Sequence, residues 1–492
     1  MHTDPSTVVD LDGPRGLPGL GNLLGFARGG TPHRALYRWH ERYGPTYRMR
    51  LPGVTAVVTS APAIIRTVLR DRPEMFRRGQ FVSDLIDELG GYGLFSAEGE
   101  DWRRLRRVAT RGLSTRYLRQ SFGTILRSAG RLTDRWGAAA ARGERIDVLE
   151  DLTRYTLEVA VGVTMNHDLG ASGGADGDLR LPLVFETLRR RLNSPVPYWR
   201  YVRLPADRRA DAAIAQARAL ILDRYAEARD LMAAGGEPHD YLTALAKADG
   251  DGEDPLGEDD VVGSVLTMIV AGEEPTAAAA AWALHYLATH PEAQQRVRAE
   301  TAAVFGPDGA PGDFSMLARL PFAEAVVHEA IRLRPPSPFV IMQPLADTTV
   351  GDGDTRLHLE RGTPIFVLQT YGSATDAARY PEPGAFRPQR WLAPNPEAES
   401  NAQPYVPFGS GPRFCPGRQL GLLEATLIVA MTCHAYTIEP DSSAGPVGER
   451  ETFALLPTNL GVRLRPAPRE PASAGPLPSG PAAGPSPDGN PL

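Results

Sequence analysis

The stretch PFGSGPRFCPGRQLGLLEA, from Pro407 to Ala425, contains Cys415, one of only two cysteines in the chain. Gly409, Gly411 and Gly417 predict backbone turns that other residues resist, because glycine tolerates positive φ, and two prolines make these turns rigid by fixing φ. The apolar run that follows predicts a helix beginning near Gly417. Backbone N–H groups and the positive end of the helix dipole would then face the sulfur and favour a thiolate. The stretch therefore predicts a functional thiol in a rigid loop.

Three kinds of site use such a thiolate. Zinc needs further ligands at short spacing, which Cys433 and His434 do not supply across a full helix. A nucleophile needs a histidine base, whose position the sequence leaves open. Haem iron needs the single thiolate of Cys415, apolar walls such as Phe408, and a cation for the propionates such as Arg413. Of the three, haem ligation explains the largest part of the stretch. We expect the other cysteine, Cys433, to be a buried core thiol.

The composition is that of a globular protein. The 492 residues are 42% hydrophobic with a net charge of -6, which gives no indication of nucleic acid or an anionic membrane as partner. Two cysteines are too few for a disulfide framework. We see no pattern of a signal peptide or membrane anchor, and the apolar segment from Val261 to Leu287 carries Glu273, Glu274 and Pro275 in its middle. We expect a cytoplasmic monomer.

Periodicity predicts a mainly α fold with a small β region. We expect a Pro/Gly-rich N-terminal segment at 1–30, a single domain at 31–465 and a disordered Pro/Gly/Ala-rich tail at 466–492. Short strands are predicted near Val54 and near Ile365. The segments with helical spacing are 33–43, 61–70, 101–113, 116–140, 149–165, 210–234, 259–289, 291–304, 322–334 and 419–434.

The cysteine loop follows the pattern Phe-x-x-Gly-x-Arg-x-Cys-x-Gly, which resembles the haem-binding loop of the cytochrome P450 family. Other segments match that family in the same order, from about residue 14 to about residue 464. The resemblance implies the cytochrome P450 fold and a haem b cofactor. It also implies a set of cofactor-binding residues in the loop, with the metal ligand among them: Phe408, Gly409, Arg413, Cys415 (the metal ligand) and Gly417.

Two further segments carry the resemblance. HEAIRLRPP places Glu329 and Arg332 one helical turn apart, and FRPQRW supplies Arg390. An exposed ion pair would explain the first two residues by themselves, whereas the resemblance implies that all three form a buried structural network behind the cysteine loop. In EDWRRLRRVATRGL, Trp102 and Arg106 are one turn apart and resemble the pair that binds a haem propionate in the family.

The segment AGEEPT, residues 271–276, resembles the family's Ala-Gly-x-(Asp/Glu)-Thr motif on the distal side of the haem. There, Ala271 and Gly272 would leave room for dioxygen and substrate, and Glu274 would relay protons. Pro275 takes the place of the threonine, and Thr276 lies about 100° further round the helix. Glu274, ordered water or a substrate hydroxyl is therefore expected to supply protons. We expect Pro275 to fix a distorted turn, because it removes a backbone hydrogen bond.

The resemblance implies a monooxygenase that takes electrons from a separate ferredoxin and ferredoxin reductase. The expected substrate is an apolar small molecule, a terpenoid or another secondary metabolite, in a pocket walled by segments 78–95, 181–202, 335–342 and 454–459. Pro275 keeps an alternative open, namely oxidative rearrangement, coupling or peroxide-driven chemistry. A fatty-acid substrate is disfavoured, because Glu274 would repel its carboxylate. A non-enzymatic haem protein is a third possibility, against which Glu274 also argues.

Overall fold

The computed structural model describes residues 5–27, 30–170, 181–192, 194, 197–250, 252, 256–306, 308–392 and 405–468. Most of the tail expected to be disordered lies outside this part of the chain. The helices are α1 Leu23–Ala27, α2 Pro32–Tyr43, α3 Pro62–Arg70, α4 Gln80–Asp87, α5 Gly99–Gly112, α6 Thr115–Ala141, α7 Val148–Met165, α8 Leu181–Leu192, α9 Pro205–Ala233, α10 Tyr241–Gly250, α11 Glu258–Ala288, α12 Pro291–Ala302, α13 Pro321–Leu333 and α14 Arg418–Ala435. The strands are β1 Ser6–Thr7, β2 Thr46–Leu51, β3 Val54–Thr59, β4 Phe76–Arg78, β5 Ile146–Asp147, β6 Val340–Pro344, β7 Thr348–Val350, β8 Leu357–Leu359, β9 Ile365–Val367, β10 Tyr436–Asp441, β11 Gly448–Glu451, β12 Leu455–Thr458 and β13 Gly461–Pro466.

Helix α11 is the centre of the helical part. Its 31 residues extend about 46 Å at 1.5 Å per residue. The alanines from Ala277 to Ala281 are buried in the largest apolar core. Their small side chains let α7, α13 and α14 pack closely around α11. The middle of this helix is thereby packed against the first turns of α14, where Thr276 lies next to Gly421.

The β region consists of small sheets. The largest has the strand order β2-β3-β9-β6-β4, and the others are β1-β8-β7, β10-β13-β5 and the hairpin β11-β12. The two strands predicted from sequence are confirmed as β3 and β9, which pair in parallel with Val57 opposite Ile365. The mainly α fold with a small β region is thus confirmed. Ser6 pairs with Leu357, so part of the N-terminal segment packs on the fold, and a domain boundary at residue 30 stays a prediction.

The predicted helices correspond to ten of those in the structure, and α1, α4, α8 and α10 were not predicted. Helix α10 is buried on nearly all sides, from Tyr241 to Ala246, so it lacks the polar face that makes helical spacing visible. Helices α1 and α4 have only 5 and 8 residues, which is too short for a periodic pattern to stand out.

Candidate active site

The cysteine loop turns sharply between a 3₁₀ turn at Gly411–Arg413 and the start of α14, where Gly417 is the N-cap. The backbone N–H of Cys415 donates to the carbonyl of Phe408 at 2.8 Å. Gly411 has a φ of 69°, and a Cβ there would lie 2.4 Å from the carbonyl oxygen of Leu69. Only glycine therefore allows this loop to press against the end of α3.

The three glycines of the loop play different parts. Gly409 has a φ of 72°, so it needs the conformational freedom expected of it. Gly417 does not, because its φ is -83°. A Cβ at Gly417 would lie 3.9 Å from the sulfur of Cys415, which is ordinary contact. The expectation that all three glycines supply special backbone turns is therefore wrong for Gly417.

The sulfur of Cys415 receives the donors that the sequence predicts. Burial raises the pKa of Cys415 above its ordinary value, while the backbone N–H groups of Gly417 and Arg418 and the charge of Arg106 lower it. The net direction is upward, so the chain by itself does not hold the thiolate that the sequence pattern predicts. A metal cation bound at the sulfur would do so, since a coordinating thiol loses its proton.

Three arginines, Arg72, Arg78 and Arg413, form what we call the arginine cluster around Glu98. Arg413 forms an ion pair with Glu98, and its guanidinium lies 4.4 Å from the ring centroid of Trp102. Arg72 Nη2 is 3.5 Å from Glu98 Oε1, and the backbone N–H of Arg78 donates to the same oxygen at 3.0 Å. The cluster joins the cysteine loop to the segment before α5.

The arginine cluster carries more positive charge than Glu98 balances. Burial and the charge of Arg72 lower the pKa of Arg413 to about 9, against the pull of Glu98. Burial lowers the pKa of Arg78 well below its ordinary value. Within the described part of the chain, Arg413 Nε and Nη1 and Arg72 Nε are buried without a hydrogen-bond partner. Buried donors of this kind require an acceptor, so the cluster fits an anionic group such as a haem propionate.

Sequence reasoning found Arg413 but missed Arg72 and Arg78. They lie more than 300 positions before the cysteine loop in the chain, and no local pattern marks them. Their role becomes visible only when α3 and α5 bring them together.

Helix α5 presents Trp102 and Arg106 to the cysteine loop, but at different points. Trp102 is buried and lies beneath the guanidinium of Arg413. The Arg106 guanidinium lies 4.5 Å from the ring centroid of Phe414 and close enough to Cys415 to act on its charge. The two residues thus flank the loop, and Arg106 is directed towards the sulfur side of it.

Glu329 is the centre of a buried polar network behind the loop. Its carboxylate accepts two hydrogen bonds from Arg332, both at 2.8 Å, and one from Arg390 Nε at 3.0 Å. It also accepts from Trp391 Nε1 at 2.9 Å and from the backbone N–H of Arg387 at 2.8 Å. The three residues named from the sequence therefore lie together. Trp391 and the Arg387 backbone are additional partners that sequence reasoning missed.

Helix α11 continues without interruption through Pro275, so the expected distortion does not break the helix. Ala271 lines an internal cavity. A Cβ at Gly272 would lie 3.5 Å from the Cβ of Ala160, which is ordinary contact, so this side of Gly272 faces α7. The space expected beside Gly272 for dioxygen stays a prediction. Thr276 Oγ1 lies 3.2 Å from the position of a Cβ at Gly421, so Thr276 faces α14.

The two adjacent glutamates in the middle of α11, Glu273 and Glu274, have different surroundings. Glu274 Oε2 accepts hydrogen bonds from Thr452 Oγ1 at 2.7 Å, from Phe453 N at 3.1 Å and from Ala454 N at 3.3 Å. Glu273 is buried, and its Oε2 has no hydrogen-bond partner among the described residues. Burial and the charge of Glu274 raise the pKa of Glu273 well above its ordinary value. Three protein donors therefore stabilise the carboxylate of Glu274, whereas Glu273 Oε2 has no such donor in the described part of the chain.

The cavity beside Ala271 is apolar. Its walls come from the region of α4, from α8, from α11 and from the turn after β11, and include Ile86, Leu89, Phe95, Val184, Phe185, Leu188, Leu266, Val270, Ala271 and Phe453. Segments 78–95 and 181–202 thus contribute walls as expected. Segments 335–342 and 454–459 do not line it; Phe453, one residue earlier, does. The Arg78 guanidinium lies 3.6 Å from the ring centroid of Phe95, which places the arginine cluster next to the cavity.

A family model described as Cytochrome P450 matches residues 11–464. The chain belongs to the cytochrome P450 family. Cytochrome P450 proteins are haem-binding monooxygenases, and this one is therefore an oxidoreductase that acts on a small molecule with the help of redox partners. The predicted family, fold and class of enzyme are confirmed.

Curated relatives cover almost the whole of this cytochrome P450. The human mitochondrial 25-hydroxyvitamin D-1 alpha hydroxylase is 28% identical over 483 residues, which are 93% of this chain and 92% of the relative. Cyclooctatin synthase of Streptomyces melanosporofaciens is 28% identical over 468 residues, or 94% of each chain. The crystal structure of a cytochrome P450, CYP102L1, superposes with a TM-score of 0.78 at 25% identity, covering 90% of this chain and 98% of the other. In the described part of this cytochrome P450, no helix is long and apolar enough to cross a membrane.

Proposed function

We propose that this cytochrome P450 binds haem b through Cys415 and inserts one oxygen atom from O₂ into an apolar small molecule, a terpenoid or another secondary metabolite. The observation that supports it best is the juxtaposition of buried, unpartnered arginine N–H groups, the Cys415 loop and an apolar cavity. Haem has one part for each: propionates for the arginines, iron for the sulfur, and a face towards the cavity. The names of the curated relatives, a vitamin D hydroxylase and cyclooctatin synthase, are compatible with such a substrate.

The residues that would hold the haem fall into two groups. Arg413 and Arg72 would bind the propionates through their buried donors, and Arg78 adds positive charge beside them. Trp102 would support Arg413, whose guanidinium lies over its ring. Cys415 would bind the iron, with its sulfur oriented by the N–H groups of Gly417 and Arg418. Arg106, Phe408 and Gly409 would line the side of the haem site that the cysteine loop forms. The network of Glu329, Arg332 and Arg390 would keep the loop in place.

When bound, the haem supplies the redox chemistry that activates dioxygen. The chain's own residues bind the substrate in the apolar cavity, exclude bulk water from it and leave room for small molecules beside Ala271. We propose Glu274 as the group that moves protons, together with ordered water or a substrate hydroxyl. The catalytic part first expected of Thr276 is not proposed, because its hydroxyl faces α14. Pro275 cannot do so, because it has neither a hydroxyl nor an N–H.

The ligation is tested by replacing Cys415 with Ser in the purified holoenzyme. We expect the reduced, carbon monoxide-bound wild type to show the thiolate-type absorption band and C415S to lack it. A wild-type protein without that band would overturn the assignment. Incorporation of oxygen-18 from labelled O₂ into product separates the monooxygenase from oxidative rearrangement or coupling, the second candidate that Pro275 favours.

The partners are part of the same proposal. We propose electron supply from a separate ferredoxin and ferredoxin reductase, a cytoplasmic location and a monomeric state, all of which rest on the sequence analysis above. Reconstitution with a ferredoxin and reductase pair, followed by oxidation of the reduced cofactor in the presence of a candidate substrate, tests the first of them.

A further inference from the structure

We infer that Glu274 is a positioning residue: its carboxylate anchors the turn at 452–454 and thereby sets where Phe453 stands in the substrate cavity. This inference rests on the proposed function, because it assigns the cavity to the substrate. It gives Glu274 a role in selectivity in addition to the proton transfer proposed above. The turn connects β11 to β12, and we call it the anchored turn.

The anchor is made by one oxygen atom. Glu274 Oε2 accepts from the Thr452 hydroxyl at 2.7 Å and from the backbone N–H groups of Phe453 at 3.1 Å and Ala454 at 3.3 Å. Glu274 is buried, and removal of a buried acceptor leaves its donors unsatisfied, which costs more than a typical hydrogen bond contributes. Three converging donors are the arrangement that fixes a short piece of backbone in one conformation.

The outer side of the same hairpin is held by other groups. Glu451 accepts from the backbone N–H of His33 at 3.1 Å, and Glu449 forms ion pairs with Arg34 at 2.7 Å and Arg334 at 2.8 Å. These contacts fix β11 to α2 and to the end of α13. The tip that reaches the cavity is held from α11 by Glu274. Loss of the Glu274 carboxylate would therefore release the tip while the strands stay in place.

Phe453 belongs to the anchored turn and also lines the cavity, so it connects the two. Its ring lines the cavity and lies 5.5 Å from the ring of Phe95, centroid to centroid. Phe95 in turn lies under the guanidinium of Arg78, at 3.6 Å. The aromatic pair thus closes one side of the cavity between α11 and the arginine cluster. A shift of Phe453 changes the space available to a bulky ligand far more than the space available to a small one.

Azoles of graded size test this in the holoenzyme without a known substrate. Imidazole, 4-phenylimidazole and clotrimazole bind haem iron and shift its absorption, so each dissociation constant is measured by titration. We expect E274A to change the ratio of the clotrimazole to the imidazole constant by about tenfold, the order of effect of leaving buried donors without their acceptor. E274Q keeps an acceptor oxygen, and we expect its ratio to stay within about twofold of wild type.

Phe453→Ala is expected to reproduce the change in ratio, and E274A combined with F453A to add nothing to it, because both act through one ring. Thr452→Val removes one donor and should shift the ratio in the same direction by a smaller factor, which tests the anchor should E274A fail to fold. Glu292→Ala, on the exposed face of α12, is the matched control.

An unchanged ratio in E274A and T452V overturns the inference, as do effects of E274A and F453A that add in full. An E274Q ratio as altered as that of E274A also overturns it, because the charge and its proton would then matter more than the acceptor. Failure of the proposed function has a different signature: no azole shifts the absorption of any variant, wild type included.

Discussion

Replacement of Glu329 by Ala removes the centre of the buried network behind the cysteine loop. Glu329 and Arg332 are both 0% exposed. Breaking a buried ion pair by removing one partner costs about 3–5 kcal/mol. Arg332 keeps the carbonyls of Pro383 at 2.7 Å and Ala385 at 3.1 Å as acceptors, so we expect the lower half of that range. For a chain of this size, this corresponds to a fall in melting temperature of roughly 3–4 °C.

The assay is thermal unfolding followed by circular dichroism, with haem absorption followed in parallel. Burial would raise the pKa of Glu329, but the hydrogen bonds and charge of Arg332 outweigh it and hold that pKa below its ordinary value of 4.5. The stabilisation is therefore fully present above pH 4.5 and is lost as the pH falls through the lowered folded-state value. The difference between wild type and E329A should shrink accordingly at acid pH. A loss below about 1 kcal/mol at neutral pH, like that expected of the exposed control E292A, would refute this reasoning.

Three further predictions follow from other sites. Arg72→Ala should speed haem transfer from the holoenzyme to apomyoglobin by about tenfold or more, because leaving a propionate without this cation costs at least about 1.4 kcal/mol. The variant Arg42→Ala, at an exposed site, should transfer haem at the wild-type rate. A wild-type transfer rate in R72A would contradict the assignment. Glu424 is buried, and its Oε2 has no hydrogen-bond partner among the residues that the structure describes. Burial raises the pKa of Glu424 well above the ordinary value, so wild-type stability should fall as the pH rises. Glu424→Gln should therefore gain in melting temperature over wild type more at pH 8 than at pH 5, and an equal gain at both would contradict this. Pro275→Thr should raise product formed per reduced cofactor consumed, which unchanged coupling would disprove.

The fold was predictable where a local pattern carries it. The helices with one apolar face and the strands near Val54 and Ile365 follow from spacing, and the cysteine loop follows from its motif. Helix α10 was not predicted, because burial on nearly all sides removes the polar face that reveals helical spacing. The order of the strands in the sheets depends on contacts between distant segments, for which a single sequence contains no local signal.

The sequence names candidate site residues where a motif contains them. It does not name the residues that only the folded chain brings next to the cysteine loop. Cys415, Arg413 and Glu329 were found in this way. Arg72 and Arg78 were missed, because their unbalanced charge arises only after folding. A motif names Gly272 and Glu274 in the sequence, but their contacts with α7 and with the anchored turn could not be inferred from spacing.

The arginine cluster links the amount of folded protein to the supply of cofactor. In the described part of the chain, three buried or half-buried guanidinium groups lie around one carboxylate, that of Glu98, so folding without an anion confines like charges in a poorly solvated place. A ligand that binds only the folded chain raises the folded population by mass action. In a cell short of haem, we expect newly made chains to remain partly unfolded and to be removed by proteases. The level of active enzyme would then follow haem synthesis as closely as it follows expression of the gene.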